Sequence, residues 1–125
     1  MKLRMQANSV RFRLKQSEVE RLVNTGLLEE TISFGKGNTF TYILEATGAV
    51  TAVQAAFKDS VVTVQIPYEV ASRWAGSNEV GIEALQPAGS AGDLQVLIEK
   101  DFACLDKSAE ENFDTFPNPL AGSKC

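Results

Sequence analysis

The sequence predicts a mainly β (α+β) fold: a strongly curved antiparallel sheet or small barrel of about eight strands, with two short helices and a docked irregular C-terminal tail. Three observations carry this. Apolar residues recur at every second position in short runs, the period of a half-buried strand. Turn residues interrupt those runs at spacings typical of antiparallel connections. Only two segments switch to helical spacing. Closure into a barrel removes exposed sheet edges, and a two-sheet sandwich is the close alternative.

The elements follow in order. Leu3, Met5 and Ala7 alternate with Lys2, Arg4 and Gln6; after Asn8-Ser9 the pattern resumes with Val10, Phe12 and Leu14 against Arg11 and Arg13. This reads as a hairpin. Ser17-Glu18-Val19-Glu20 has the form of a capping box, with Ser17 as cap and Glu20 reaching back. Val19, Leu22 and Val23 give that helix an apolar stripe, and Gly26 ends it. Four strands are expected next, at Leu28 to Phe34, Thr39 to Ala46, Val50 to Phe57 and Val61 to Ile66. Gly35-Lys36-Gly37-Asn38 and Lys58-Asp59-Ser60 supply turns between them. Pro67 suits the first turn of a second helix running to about Ala75, which buries Val70, Ala71 and Trp74 before Gly76. Tyr68 and Trp74 are expected in the core. Strands at Glu79 to Leu85 and Leu94 to Lys100 complete the body, with a flexible loop from Pro87 to Gly92.

No repeat of fixed period is visible, and no linker divides the 125 residues. The expectation is one domain, residues 1–125, made of a β-rich body to residue 100 and an irregular tail over 101–125. Both prolines of Phe116-Pro117-Asn118-Pro119 favour extended chain. Phe113 and Phe116 are the expected anchors of the tail on the sheet.

Composition excludes several functions. The chain has no histidine, so Ser-His or Cys-His nucleophile pairs and histidine-bearing zinc sites are absent. An enzyme is thereby disfavoured. Two cysteines, even with Asp101, Asp106 or Asp114, match no metal spacing, and no cofactor is implied. The formal charge of −4 argues against general nucleic-acid binding, and no apolar run is long enough for a membrane span. Met1 to Met5 lacks the apolar block of a secretory signal, so the cytoplasm is the expected location. Against this acidic total, Lys2, Arg4, Arg11, Arg13 and Lys15 stand with no acid among them, leaving seven bases and all sixteen acids for the rest.

Glu99-Lys100-Asp101-Phe102-Ala103-Cys104-Leu105 with Phe116-Pro117-Asn118-Pro119 resembles a family of short bacterial proteins of unknown function. The Val10 to Leu14 strand, Gln16-Ser17-Glu18-Val19 and Glu79-Val80-Gly81-Ile82-Glu83 share the likeness. The resemblance implies a bacterial, single-domain cytoplasmic protein and brings no activity with it.

The residues themselves offer two candidate sites. Arg4, Arg11 and Arg13, with Glu83 and Glu99, form a charged face that could bind an anionic ligand. On the outside of the sheet they make a solvated ion-pair ladder, with Glu29 as another possible partner. Inside a barrel they would make an anion tunnel resembling those of triphosphate-processing enzymes, although the Glu-x-Glu-x-Lys pattern of those enzymes is missing. Cys104 and Cys125 are the second candidate, a redox pair closing a loop of about 22 residues and contributing roughly 3 kcal/mol when bonded. The leading expectation is a non-catalytic binding or protein-interaction domain. Binding or hydrolysis of a phosphorylated small molecule and a thiol switch are the alternatives.

Overall fold

Each half of the chain folds as hairpin, helix, hairpin. A computed structural model describes residues 1–103 and 112–117. Strands β1 (Lys2–Gln6) and β2 (Ser9–Leu14) lead into helix α1 (Gln16–Thr25) and then β3 (Leu27–Ser33) and β4 (Thr39–Thr47). Strands β5 (Gln54–Lys58) and β6 (Val61–Pro67) lead into α2 (Tyr68–Ala75) and then β7 (Gly81–Pro87) and β8 (Asp93–Lys100). The predicted alternation thus places all eight strands and both helices, although β5 starts later than expected and β7 is shifted towards its C-terminal end.

The sheets depart from expectation. There is no closed antiparallel barrel but two four-stranded mixed sheets, ordered β1-β2-β8-β7 and β3-β4-β6-β5. Their central pairs, β2 with β8 and β4 with β6, run parallel. The halves exchange hairpins: each sheet takes one hairpin from each half. Parallel neighbours need a crossover, and the helices and the exchange provide it.

The exchange has an internal symmetry that no repeat in the sequence announces. Leu3 opposite Phe12 and Met5 opposite Val10 in the first half match Ala55 opposite Val64 and Phe57 opposite Val62, each 52 positions later. In the helices, buried Val19 and Leu22 match buried Ala71 and Trp74. The second hairpins match 54 positions apart, with Leu28 opposite Leu44 and Ile82 opposite Ile98. The parallel ladders agree as well: Phe12 beside Ile98 corresponds to Val64 beside Leu44. Even the tight turns correspond, with positive φ at Ala7 and again at Asp59.

One core joins the sheets. Phe12, Leu14, Val96 and Ile98 of the first meet Leu28, Leu44, Val64 and Ile66 of the second, all 2% exposed or less. Phe12 and Tyr42 touch across it with ring centroids 6.3 Å apart. The helices pack on each other and close one end with Val19, Leu22, Ala71 and Trp74. The α1 cap lies two residues before the expected one: the Lys15 amide donates to Glu18 Oε1 at 2.9 Å, so Glu18 and not Glu20 reaches back. Ser17 is drawn away from capping by Asp114, to which its hydroxyl donates. Tyr68 is 44% exposed, so it belongs to the helix surface and not to the core.

Residues 112–117 lie against the body. The Gln16 amide donates to Asp114 O at 2.9 Å, Phe116 N to Asp101 O at 2.8 Å, and Gln16 Nε2 to Thr115 O at 2.8 Å. Phe116 packs on Phe102 at 5.9 Å. Phe113 is 72% exposed and meets the body through Lys15, whose Nζ lies 5.9 Å from its ring centre, so it is not buried on the sheet.

Candidate functional site

Outward-facing residues of β1, β2, β8 and β7 form rows fixed by strand register. One row is Lys2, Arg13, Glu99 and Gly81; the next is Arg4, Arg11, Leu97 and Glu83. The five residues expected to bind a ligand therefore share one face, and that face is the outside of the first sheet. With no barrel there is no interior for an anion tunnel, because the alternate positions Phe12, Leu14, Val96 and Ile98 fill the inside.

The electrostatics of the face are lopsided. Lys2 stands directly opposite Arg13, and Arg4 directly opposite Arg11. Like charges in directly opposed positions repel, each pair costing a few tenths of a kcal/mol to about 1 kcal/mol. Glu99 offsets part of this, with Oε1 3.1 Å from Arg11 Nε and 3.9 Å from Arg13 Nε. A single carboxylate oxygen thus serves two guanidiniums. Lys2 Nζ lies 3.1 Å from Asp101 Oδ2. Glu83 accepts from Gln95 Nε2 at 2.9 Å. Arg4 donates only to Gln6 Oε1, at 3.2 Å, and has no carboxylate partner among the described residues. Glu29 lies on the second sheet and takes no part.

Gly81 makes room for this arrangement. It pairs with Glu99, and a Cβ there would come within 2.9 Å of both Glu99 Cγ and Ile98 O. Towards the hairpin turns the basic face continues into an open cleft of about 630 Å³ between Arg4, Arg11, Asn8, Asp93, Gln95 and Leu85. An anion there would meet two guanidiniums and several amides.

A second concave feature lies between the sheets at the end away from the helices. This groove of about 420 Å³ is lined chiefly by Met5, Val10, Phe40, Phe57, Val62 and Leu94. These are three symmetry-matched pairs, so the groove lies on the internal two-fold axis.

Lys100, not singled out by the sequence, is 6% exposed. Its Nζ donates to Ser77 O at 2.6 Å and lies 5.8 Å from the Trp74 ring centre and 5.4 Å from that of Phe116. Burial lowers its pKa below the ordinary 10.5, partly offset by the nearby Glu79 carboxylate. A buried cation binding a carbonyl just beyond a helix C-terminus is a structural device. Its sign can be tested. In the native state the ammonium loses its proton at a lower pH than in the unfolded chain. Stability therefore rises with pH through the window just below 10.5. Lys100→Met is expected to abolish that rise, read as the difference between the two proteins' urea midpoints from pH 8 to 10.5. Tyr42, whose pKa burial and then Glu30 raise above 10.0, makes stability fall at higher pH in both proteins and cancels from the difference.

Cys104 and Cys125, the expected redox pair, and Asp106 lie outside the described residues. Among those described, no three histidine, cysteine or acidic side chains come together to hold a metal. No described helix is long and apolar enough to cross a membrane.

A family model described as "Family of unknown function (DUF7009)" matches residues 1–120. No curated protein and no solved structure matches the chain.

Proposed function

We propose that this chain, which belongs to the DUF7009 family of unknown function, is a non-catalytic binding domain that uses the basic outer face of its first sheet to engage an anionic partner. The observation that carries this reading is a comparison the molecule makes with itself. Opposed Lys2 and Arg13 correspond by symmetry to opposed Gln54 and Gln65, and opposed Arg4 and Arg11 to opposed Ala56 and Thr63. The strand acids nearest the arginines do not differ in this way: Glu99 corresponds to Glu45, and Glu83 to Glu29. Asp101, the partner of Lys2, does differ, with Thr47 at the matching position. Gln65 donates to Glu45 at 2.8 Å where Arg13 approaches Glu99.

The same backbone in the same register therefore holds together with neutral residues at all four positions. Lys2 answers the buried Asp101, but Arg4, Arg11 and Arg13 are an addition the fold does not require. Local repulsion accepted in this way fits a surface that is neutralised by something else. A small phosphorylated ligand is the second reading, favoured by the cleft between Arg4 and Arg11.

Isothermal titration with poly-L-glutamate and with inorganic triphosphate tests the proposal. Binding is expected to weaken steeply with salt and to fall about 100-fold in Arg4→Glu/Arg11→Glu. Because the reversed pair sets two glutamates opposite each other and beside Glu99, folding is controlled with Arg4→Ala/Arg11→Thr. That control copies Ala56 and Thr63, should melt near the parent and should also lose binding. Equal binding by parent and variant, or no binding by the parent, overturns the reading.

A further inference from the structure

We infer that the free edge of β1 is a strand-addition site for an extended acidic segment of a partner protein. This rests on the basic-face reading above and names the partner and its mode of attachment. The segment adds to the first sheet as a fifth strand and sets alternate carboxylates beside Lys2 and Arg4.

Backbone parity comes first. Gln6 and Ser9 close a two-residue turn, so they form a hydrogen-bonded pair, and such pairs alternate along an antiparallel ladder. Leu3 and Met5 are then in the other class, with N–H and C=O directed away from β2. Sheet order puts no strand on that side, and no described backbone group bonds to it.

The other half of the molecule shows what closing such an edge looks like. Ala55 of β5 corresponds to Leu3. Its N–H donates to Gln86 Oε1 at 2.7 Å, and its C=O accepts from Gln86 Nε2 at 2.8 Å. One glutamine of β7 thus imitates a strand and seals the seam between β5 and β7. The position on β3 that corresponds to Gln86 is Ile32, opposite Phe40 as Gln86 is opposite Leu94. Isoleucine has neither donor nor acceptor, so the seam beside β1 is unsealed. Ile32 is 45% exposed.

Charge then selects the occupant. Lys2 and Arg4 project from alternate positions of β1, about 7 Å apart, and an added strand presents its own alternate side chains at the same spacing. Carboxylates there would flank the two opposed basic pairs on the open side, as Glu99 does from β8. Lysine on an edge strand also guards against aggregation. That accounts for charge on β1, but not for Arg11 and Arg13 one strand further in. Main-chain pairing supplies affinity and alternate side chains supply specificity, the usual division in strand addition.

The probe is a capped octapeptide alternating glutamate with valine, compared with an isomer carrying four glutamates followed by four valines. The alternating peptide is expected to bind at least about tenfold more tightly and to slow amide exchange at Leu3 and Met5. Ile32→Gln, which copies the Gln86 seal without changing charge, should weaken it about tenfold. So should Met5→Pro, which removes an edge donor that bonds nothing in β2. Equal affinity for the two peptides, or undiminished binding by both variants, overturns strand addition. In that case loss of triphosphate binding in Arg4→Glu/Arg11→Glu still upholds the basic face. If charge reversal changes nothing either, both readings fall. Preferential binding of a duplex oligonucleotide, unaffected by Ile32→Gln, would likewise overturn the acidic strand.

Discussion

Trp74→Ala is expected to lower the free energy of unfolding by about 4 kcal/mol, measured from urea midpoints at neutral pH. Trp74 is fully buried in α2 where the helices close the core, and its ring also lies beneath the Lys100 ammonium. Truncation leaves a cavity that the rigid sheets cannot collapse to fill, and it removes an aromatic face from a buried cation. The symmetry supplies a control: Leu22 occupies the matching place in α1, also fully buried. Trp74→Leu should therefore cost about half as much. The indole Nε1 has no hydrogen-bond partner among the described residues, so losing it strands no acceptor. An alanine variant within about 1 kcal/mol of the parent would show that α2 is not an integral part of this core.

Gly26→Val is expected to destabilise by about 2–3 kcal/mol. Gly26 ends α1 at φ 80°, in the left-handed region, where a β-branched residue is strongly disfavoured. Its amide donates to Leu22 O at 2.8 Å, its carbonyl accepts from Ala46 N at 2.9 Å, and a Cβ would lie 3.2 Å from Ala46 O. The residue joins helix to sheet with no room at its side. Gly76, which ends α2 at φ −89° with 3.4 Å to the nearest obstacle, should accept alanine at a cost below about 1 kcal/mol. Equal losses at Gly26→Val and Gly76→Ala would contradict the cap assignment.

Much of the fold was legible because local rules are strong here. Val62, Val64 and Ile66 cannot read as anything but one face of a strand, and Val19 with Leu22 places the buried stripe of α1 correctly. What failed is non-local. Alternation says which face of a strand is buried but not which strand lies beside it, so antiparallel neighbours were expected throughout. The parallel pairs β2–β8 and β4–β6 arise from hairpin exchange, which leaves no mark within either hairpin. The internal symmetry was invisible for a related reason. Matched positions such as Leu22 and Trp74, or Arg11 and Thr63, share burial or register and not identity. The charged face was legible as a group of residues, since period two places Arg4, Arg11 and Arg13 together. Its location outside the molecule depended on the sheet order. Alternation puts Lys100 on the inward face with Val96 and Ile98, but the groups that cover it, Trp74 and Phe116, are distant in sequence and could not be read.

The hairpin exchange has a consequence for what counts as a folding unit. Neither half can complete a sheet alone, since β1 and β2 need β8, and β5 and β6 need β4. A fragment ending in the connection over 48–53 would carry every element type yet bury only part of its apolar faces. Within the chain the two halves supply each other's missing strands with the same ladder geometry. The fold is thus a two-fold dimer written as one polypeptide. Apart from Val53, which packs on the core, the peptide link across 48–53 acts by raising the local concentration of one half around the other. Joining the halves also frees them to differ, so that one sheet can carry arginines while its counterpart keeps glutamine, alanine and threonine.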